Sequence, residues 1–127
     1  MKAVSLPDCP VVSAGSVLSK ATWRASRKLG LSGSALARIV GVSEATVSRL
    51  SRGEWTLAPD SKEGQLAALL VRLFRSLDAL VGNDDAQTSA WLNSPNRALN
   101  GTPRELIESP QGLVMTLQYV DAMRATS

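Results

Sequence analysis

An all-α protein is predicted, and three observations predict it. Aromatic residues make up only 4% of the 127 residues while hydrophobic residues reach 44%, so the interior must be built mostly from Leu, Val and Ala, the mixture of packed helices rather than of a β-sandwich. Residues 36–53, LARIVGVSEATVSRLSRG, have the spacing of two short helices joined by one glycine. Leu66, Leu70, Leu73, Leu77 and Leu80 recur at alternating steps of four and three, the seam of a long packed helix. The expected organisation is a flexible arm over 1–12, a helix-turn-helix domain over 13–58, a connecting and dimerising helix over 59–83, and a C-terminal module of short helices over 84–127.

Residues 1–12 carry Pro7 and Pro10 and little periodicity, which predicts an extended or disordered arm. A first helix is predicted over 13–29, ended by Gly30, with Ala14, Val17, Leu18, Ala21 and Ala25 as its buried stripe. Lys20, Arg24 and Arg27 share the other face, with Lys28 beside them. They read either as a solvated face or as cations that hold DNA phosphates and orient the protein without reading sequence.

Within 36–53, Leu36, Ala37, Val40, Val42, Val47 and Leu50 are the positions that a helix pair must bury to fix its angle. Gly41 falls at the turn, where the backbone must take a positive φ. Ser43 is placed to cap the second helix and Glu44 to favour its dipole. With Val47 and Leu50 facing inward, Ala45, Ser48, Arg49 and Arg52 share the outward face, flanked by Glu44. Those side chains suit a major groove: arginine bridges guanine O6 and N7, glutamate accepts from cytosine N4, alanine meets a thymine methyl, and Ser43, Thr46 or Ser48 can serve bases or phosphates. The plain alternative is an αα-hairpin that only packs.

Charge supports a polyanion partner. Residues 1–58 hold eight Lys/Arg against three Asp/Glu, and residues 59–127 hold six against eight, so a net +3 divides into +5 and −2. The chain has no histidine and one cysteine, Cys9, which excludes an intrachain disulfide, histidine-based nucleophile pairs and the usual zinc ligand sets. Catalysis, cofactors and metals are therefore not expected; a hydrolase or transferase using Asp84 and Asp85 is the weakest reading. The most hydrophobic stretch, 66–81, is interrupted by Arg72, Arg75 and Asp78, so a soluble cytoplasmic protein without membrane contact is expected.

The connection 51–59 contains Trp55, read as a core plug. Asp60 with Glu63 predicts the start of the central helix, and Gly82 its end. Its leucine seam is apolar over more than half its girth, so a second copy of the chain is expected against Leu66, Leu70, Leu73 and Leu77, unless one monomer buries the helix entirely. Asp84 with Gln87 starts the next helix. Ser94-Pro95, Thr102-Pro103 and Ser109-Pro110 each place a capping oxygen before a proline, and Thr102 with Glu105 forms a capping box. Beyond Gly112, Leu113, Val114, Leu117, Val120 and Met123 form a last amphipathic helix.

This C-terminal pattern, WLNSPNRALNGTPRELIESPQG with Trp91, Leu92, Pro95, Asn96, Leu99, Gly101, Pro103, Leu106 and Gly112, resembles the Xre/MbcA/ParS antitoxins, and the helix-turn-helix fits the same family upstream. Asn100 departs from it by standing where a second glycine is often found, and the tail YVDAMRATS lacks the usual glycine-containing ending. The resemblance implies an inhibitor of a RES-domain toxin that degrades NAD+, or of an ADP-ribosylating one, together with binding to operator DNA that represses the operon. It implies a toxin-binding set of Trp91, Asn96, Arg97, Pro103, Arg104, Tyr119, Met123, Arg124 and Ser127, with Arg124 and the Ser127 carboxylate as candidates to enter the toxin's pocket. Trp91, Pro95, Leu99, Pro103 and Leu106 can equally be core of the small module. A free-standing helix-turn-helix repressor, whose C-terminal half only dimerises, is the alternative.

Overall fold

The structure is a computed structural model that describes residues 13–126. The expected arm over 1–12 and the candidate Ser127 lie outside the described residues. Among those described there are seven helices: α1 (Ala14–Lys28), α2 (Gly33–Val40), α3 (Glu44–Ser51), α4 (Lys62–Val81), α5 (Asp85–Asn93), α6 (Pro103–Leu106) and α7 (Pro110–Thr126). None is long and apolar enough to cross a membrane.

Serine and aspartate caps set most of the helix starts. Ser13, Ser32, Ser43 and Ser61 each accept the N–H of the third residue beyond, and Asp84 accepts those of Ala86 and Gln87. The cap of α4 is thus Ser61 rather than Asp60, one residue later than expected. Gly41 and Gly82 end α2 and α4 in the left-handed conformation, at φ 86° and 71°.

The helix α4 is the axle of the fold, packing against α1, α2, α5 and α7. Its Ala67, Leu70, Leu73 and Leu77 have no exposed surface. They join Leu36, Ile39, Val47 and Leu50 of the helix pair to Leu92, Ile107, Leu113, Leu117 and Val120 of the C-terminal helices in one continuous core. This corrects the expectation that the leucine seam faces a second copy: Leu70, Leu73 and Leu77 are spent inside the monomer, and only Leu66 and Leu80, at the two ends, are half-exposed. A helix apolar around most of its girth found its second partner in α7 of its own chain.

The buried stripe of α1 also differs from expectation. Ala14 and Val17 are exposed, Leu18 and Ala21 half-buried, and the enclosed face is instead Ser19, Thr22, Ala25 and Ser26. Burying hydroxyls costs little here because each donates to a carbonyl of its own helix: Ser19 to Gly15, Thr22 to Leu18 and Ser26 to Trp23, all at 2.7 Å. Ser19 Oγ also accepts the Leu57 N–H at 2.8 Å, which ties the 51–59 connection against α1. The apolar face so released forms an open groove of about 410 Å³ between Ala14, Val17, Leu18 and Ala21 of α1 and Ala68 and Val71 of α4, rimmed by Arg72 and Arg75.

Between α5 and α6, Ser94-Pro95 opens no helix. Ser94 closes α5, and 96–101 makes a tight turn in which the Asn96 and Gly101 backbones pair at 2.8 and 3.2 Å. Asn96 Oδ1 also accepts the Leu99 N–H at 3.1 Å, so the side chain stays in the turn. Thr102 makes no side-chain cap, correcting the expected capping box; Pro103 at the first position starts α6 with φ already set. At the third pair Ser109 Oγ accepts the Gly112 N–H at 3.0 Å, and α7 begins at Pro110.

Candidate functional site

Two surfaces emerge, one at each end of the sequence. On the first, α2 and α3 enclose Leu36, Ala37, Val40, Val47 and Leu50, and the tight turn at Gly41 sets the angle between them. Ser43, Glu44, Ala45, Ser48, Arg49 and Arg52 are then all exposed, and Thr46 is half-buried. Ser43 Oγ takes the Thr46 N–H at 3.1 Å and meets the Thr46 hydroxyl at 2.9 Å, so these two serve the helix start first. Arg52 is braced: it donates to Ser48 Oγ at 2.6 Å and to Glu54 Oε1 at 3.1 Å. That contact holds the Glu54 carboxyl below its ordinary pKa, by hydrogen bonding first and by the Arg52 charge second. Arg49 makes no side-chain hydrogen bond among the described residues, leaving its five donors for a ligand.

The α1 cations differ in their partners. Arg27 lies over the Trp23 ring, 5.4 Å from its centroid, and Lys28 pairs with Asp85 at 3.4 Å. Arg24 and Lys20 are exposed without a hydrogen bond or ion pair among the described residues. Of the four α1 candidates for phosphate contact, Lys20 and Arg24 are the two whose charges are uncommitted among the described residues.

The second surface is carried by α5 and α7. The Trp91 and Tyr119 rings stack with 6.4 Å between centroids and 18° between planes, both half-buried. Met115 and Met123 lie one turn to either side of Tyr119 on α7, so Met115, Tyr119 and Met123 form a stripe beside the tryptophan. Met115 is 42% and Val114 37% exposed, large apolar side chains in water. Met115 was missed from sequence; its four-residue spacing from Tyr119 was the signal that could have found it. Arg97 is exposed in the 96–101 turn.

Three of the expected toxin-binding residues make contacts within the chain. Pro103 is buried in the core. Arg104 Nε donates to Asn93 Oδ1 at 2.7 Å and its Nη2 to the Gly30 carbonyl at 2.5 Å. Arg124 donates to Ser76 Oγ at 3.2 Å, and the same hydroxyl donates to Asp121 at 2.6 Å, fastening α7 to α4. No group of three or more potential metal ligands occurs among the described residues.

A helix pair that exposes a polar, arginine-bearing helix, fused to a compact helical module with an apolar face, defines the class of helix-turn-helix proteins that carry a C-terminal helical module. The model of the antitoxin Xre-like helix-turn-helix domain matches residues 12–72, and that of the antitoxin Xre/MbcA/ParS C-terminal toxin-binding domain matches residues 76–125. The chain belongs to the Xre/MbcA/ParS antitoxin family. Among solved structures it is similar to a chain of the M. tuberculosis MbcT-MbcA toxin-antitoxin complex, at 27% identity and a TM-score of 0.64, over 84% of this chain and 93% of that one. No curated protein matches it.

Proposed function

We propose that this antitoxin binds a RES-domain toxin that degrades NAD+ through the α5–α7 face and covers its active site, and that it binds operator DNA through α3 to repress its own operon. The observation that carries the reading is the Trp91–Tyr119 stack flanked by Met115 and Met123, an apolar, partly exposed stripe on the module that matches the family's toxin-binding domain. Inhibition of this kind requires no chemistry from the antitoxin, only a surface rigid enough to exclude substrate. Arg49, Ser48, Ala45 and Glu44 stand outward on α3 as a base-reading set, and Arg24 is available to a phosphate.

A homodimer belongs to the same reading, because two eight-residue recognition helices one turn of DNA apart hold an operator that one grips weakly. Its surface is the α1–α4 groove rather than the buried leucines. Val17 is 53% exposed there, and the small side chains of Ala14, Ala21 and Ala68 let a partner helix approach closely.

Co-expression with the protein encoded beside it is the test. Restored growth and NAD+ level, with a complex that co-purifies, is the expected result. A chain that binds DNA but rescues nothing would be a free-standing repressor.

A further inference from the structure

The end of α3 sets a carboxylate beside the arginines of the face assigned to a polyanion. Its last turn closes as a Schellman motif, in which the Gly53 N–H donates to the Leu50 carbonyl at 3.1 Å and the Glu54 N–H to the Arg49 carbonyl at 2.8 Å. Gly53 takes a φ of 74° to allow this, and nothing lies within 4 Å of its Cβ position, so glycine is needed there for its backbone alone. The reversal brings Glu54 back to the turn that carries Arg49 and Arg52.

Arg52 is thereby held from two sides. Its Nη1 donates to Ser48 Oγ, one turn earlier, at 2.6 Å, and its Nη2 to Glu54 Oε1 at 3.1 Å. The Arg49 charge also acts on Glu54, as a weaker lowering influence on its carboxyl, but Arg49 makes no side-chain hydrogen bond among the described residues. Two arginines of one outward face thus differ, one free and one occupied.

Neither stability nor affinity for DNA explains the carboxylate. The Arg52 and Glu54 side chains are 52% and 55% exposed, and solvent screens such a pair. A negative charge beside a DNA-binding face repels phosphates and lowers affinity for every duplex alike. What the contact does is engage Arg52 with a carboxylate oxygen, in place of the phosphate oxygen that a long, flexible arginine would otherwise reach.

We propose that Glu54 is a specificity-determining residue of the DNA-binding face: it withholds Arg52 from phosphates and, with Ser48, holds the guanidinium along the outward side of α3. The inference rests on the DNA binding proposed above. On a random duplex the chain binds with one cation fewer, so phosphate contacts, which carry no sequence, lose weight against the base contacts of α3. On the operator, Arg52 arrives already oriented and loses less rotamer freedom on binding.

The experiment titrates the full chain, as wild type, Glu54→Ala, Arg52→Gln and the double variant, against a duplex from upstream of its own gene and a scrambled duplex of equal length, at several salt concentrations. Glu54→Ala is expected to bind the scrambled duplex at least about threefold tighter, with a salt slope steeper by about one, and to gain little on the upstream duplex, so that the ratio of the two affinities falls. In the Arg52→Gln background the same substitution should change scrambled affinity and slope much less, because the released cation is gone. A gain of equal size on both duplexes, or one that persists in full without Arg52, would make Glu54 a plain negative charge and overturn the proposal while leaving DNA binding by α3 intact. A wild type that does not distinguish the two duplexes removes the DNA-binding reading, and the proposal with it, before any variant is compared.

Discussion

The Gly112 α-carbon lies so close to the Leu106 carbonyl that a Cβ on Gly112 would overlap it. The first turn of α7 therefore presses directly on the end of α6. Glycine at 112 is needed for this approach and not for an unusual φ, since Gly112 sits inside a regular helix. Gly112→Ala is expected to destabilise the chain by about 1–3 kcal/mol or more, because backbone on both sides must move apart. Thermal or denaturant unfolding reads this. Gly41→Ala is the contrast: nothing lies within 4 Å of its Cβ position, and the φ of 86° alone costs roughly 1–2 kcal/mol.

Asn100 bears on the same module. It holds φ at 58°, a left-handed conformation that asparagine tolerates better than other side chains. Glycine adopts the same conformation without steric cost. Asn100→Gly should leave the melting temperature and toxin inhibition close to wild type, whereas Asn100→Val should lower the melting temperature measurably.

Arg49 and Arg24 separate base reading from phosphate holding. Arg49→Ala is expected to weaken operator binding by about 1–3 kcal/mol and to relax preference at one base position per half-site. Arg24→Ala should weaken all sequences alike and reduce the salt slope by about one. Titrations against operator and scrambled duplex at several salt concentrations distinguish the two. Equal, sequence-independent losses from both would remove Arg49 as a reader.

Local signals in the chain were legible where one residue type has one physical use. Gly41 and Gly82 end their helices in the left-handed conformation, and Ser43 and Asp84 start theirs with side-chain caps, as their sequence positions indicate. The outward α3 face follows from 100° per residue once Val47 and Leu50 are buried. What could not be read is which of two apolar faces wins. The α1 helix buries Ser19, Thr22 and Ser26 because their hydroxyls are satisfied within the helix, and it leaves Val17 outside. Periodicity counts apolar residues and is blind to that satisfaction. Nor does periodicity say whether a leucine seam meets a second copy or α7 of its own chain.

The groove and the seam can be told apart by paired substitutions. Leu73 has no exposed surface, and Leu73→Ala should cost about 2–5 kcal/mol of stability through lost transfer energy and a residual cavity. Val17→Asp places a charge on an exposed groove residue and should leave monomer stability within about 0.5 kcal/mol of wild type. If the α1–α4 groove holds the dimer, Val17→Asp shifts sedimentation toward the monomer while leaving the helical spectrum unchanged. A dimer that persists in Val17→Asp would place the interface elsewhere.

Arg38 of α2 meets the Glu108 carboxylate as a fork, Nε to Oε1 at 2.8 Å and Nη2 to Oε2 at 3.1 Å, and the pH dependence of this pair has a definite sign. Glu108 has its pKa lowered first by the hydrogen bond to Arg38; desolvation opposes this as the second-largest effect, and the Arg38 and Arg104 charges add smaller lowering contributions. A carboxyl depressed in the folded state contributes stability that is present above its unfolded pKa, about 4.3, and is lost as pH falls through the lower folded value. Arg38 is pushed further up and stays charged throughout, so it adds no titration of its own. Wild type and Glu108→Gln should therefore differ in unfolding midpoint at pH 7 and converge as pH falls through the lowered folded value of Glu108, where the wild-type carboxyl itself becomes neutral. The difference at pH 7 is small, because the pair is exposed, and it shrinks with added salt. A difference that stays constant from pH 7 to pH 3 would mean that Glu108 acts through packing rather than charge.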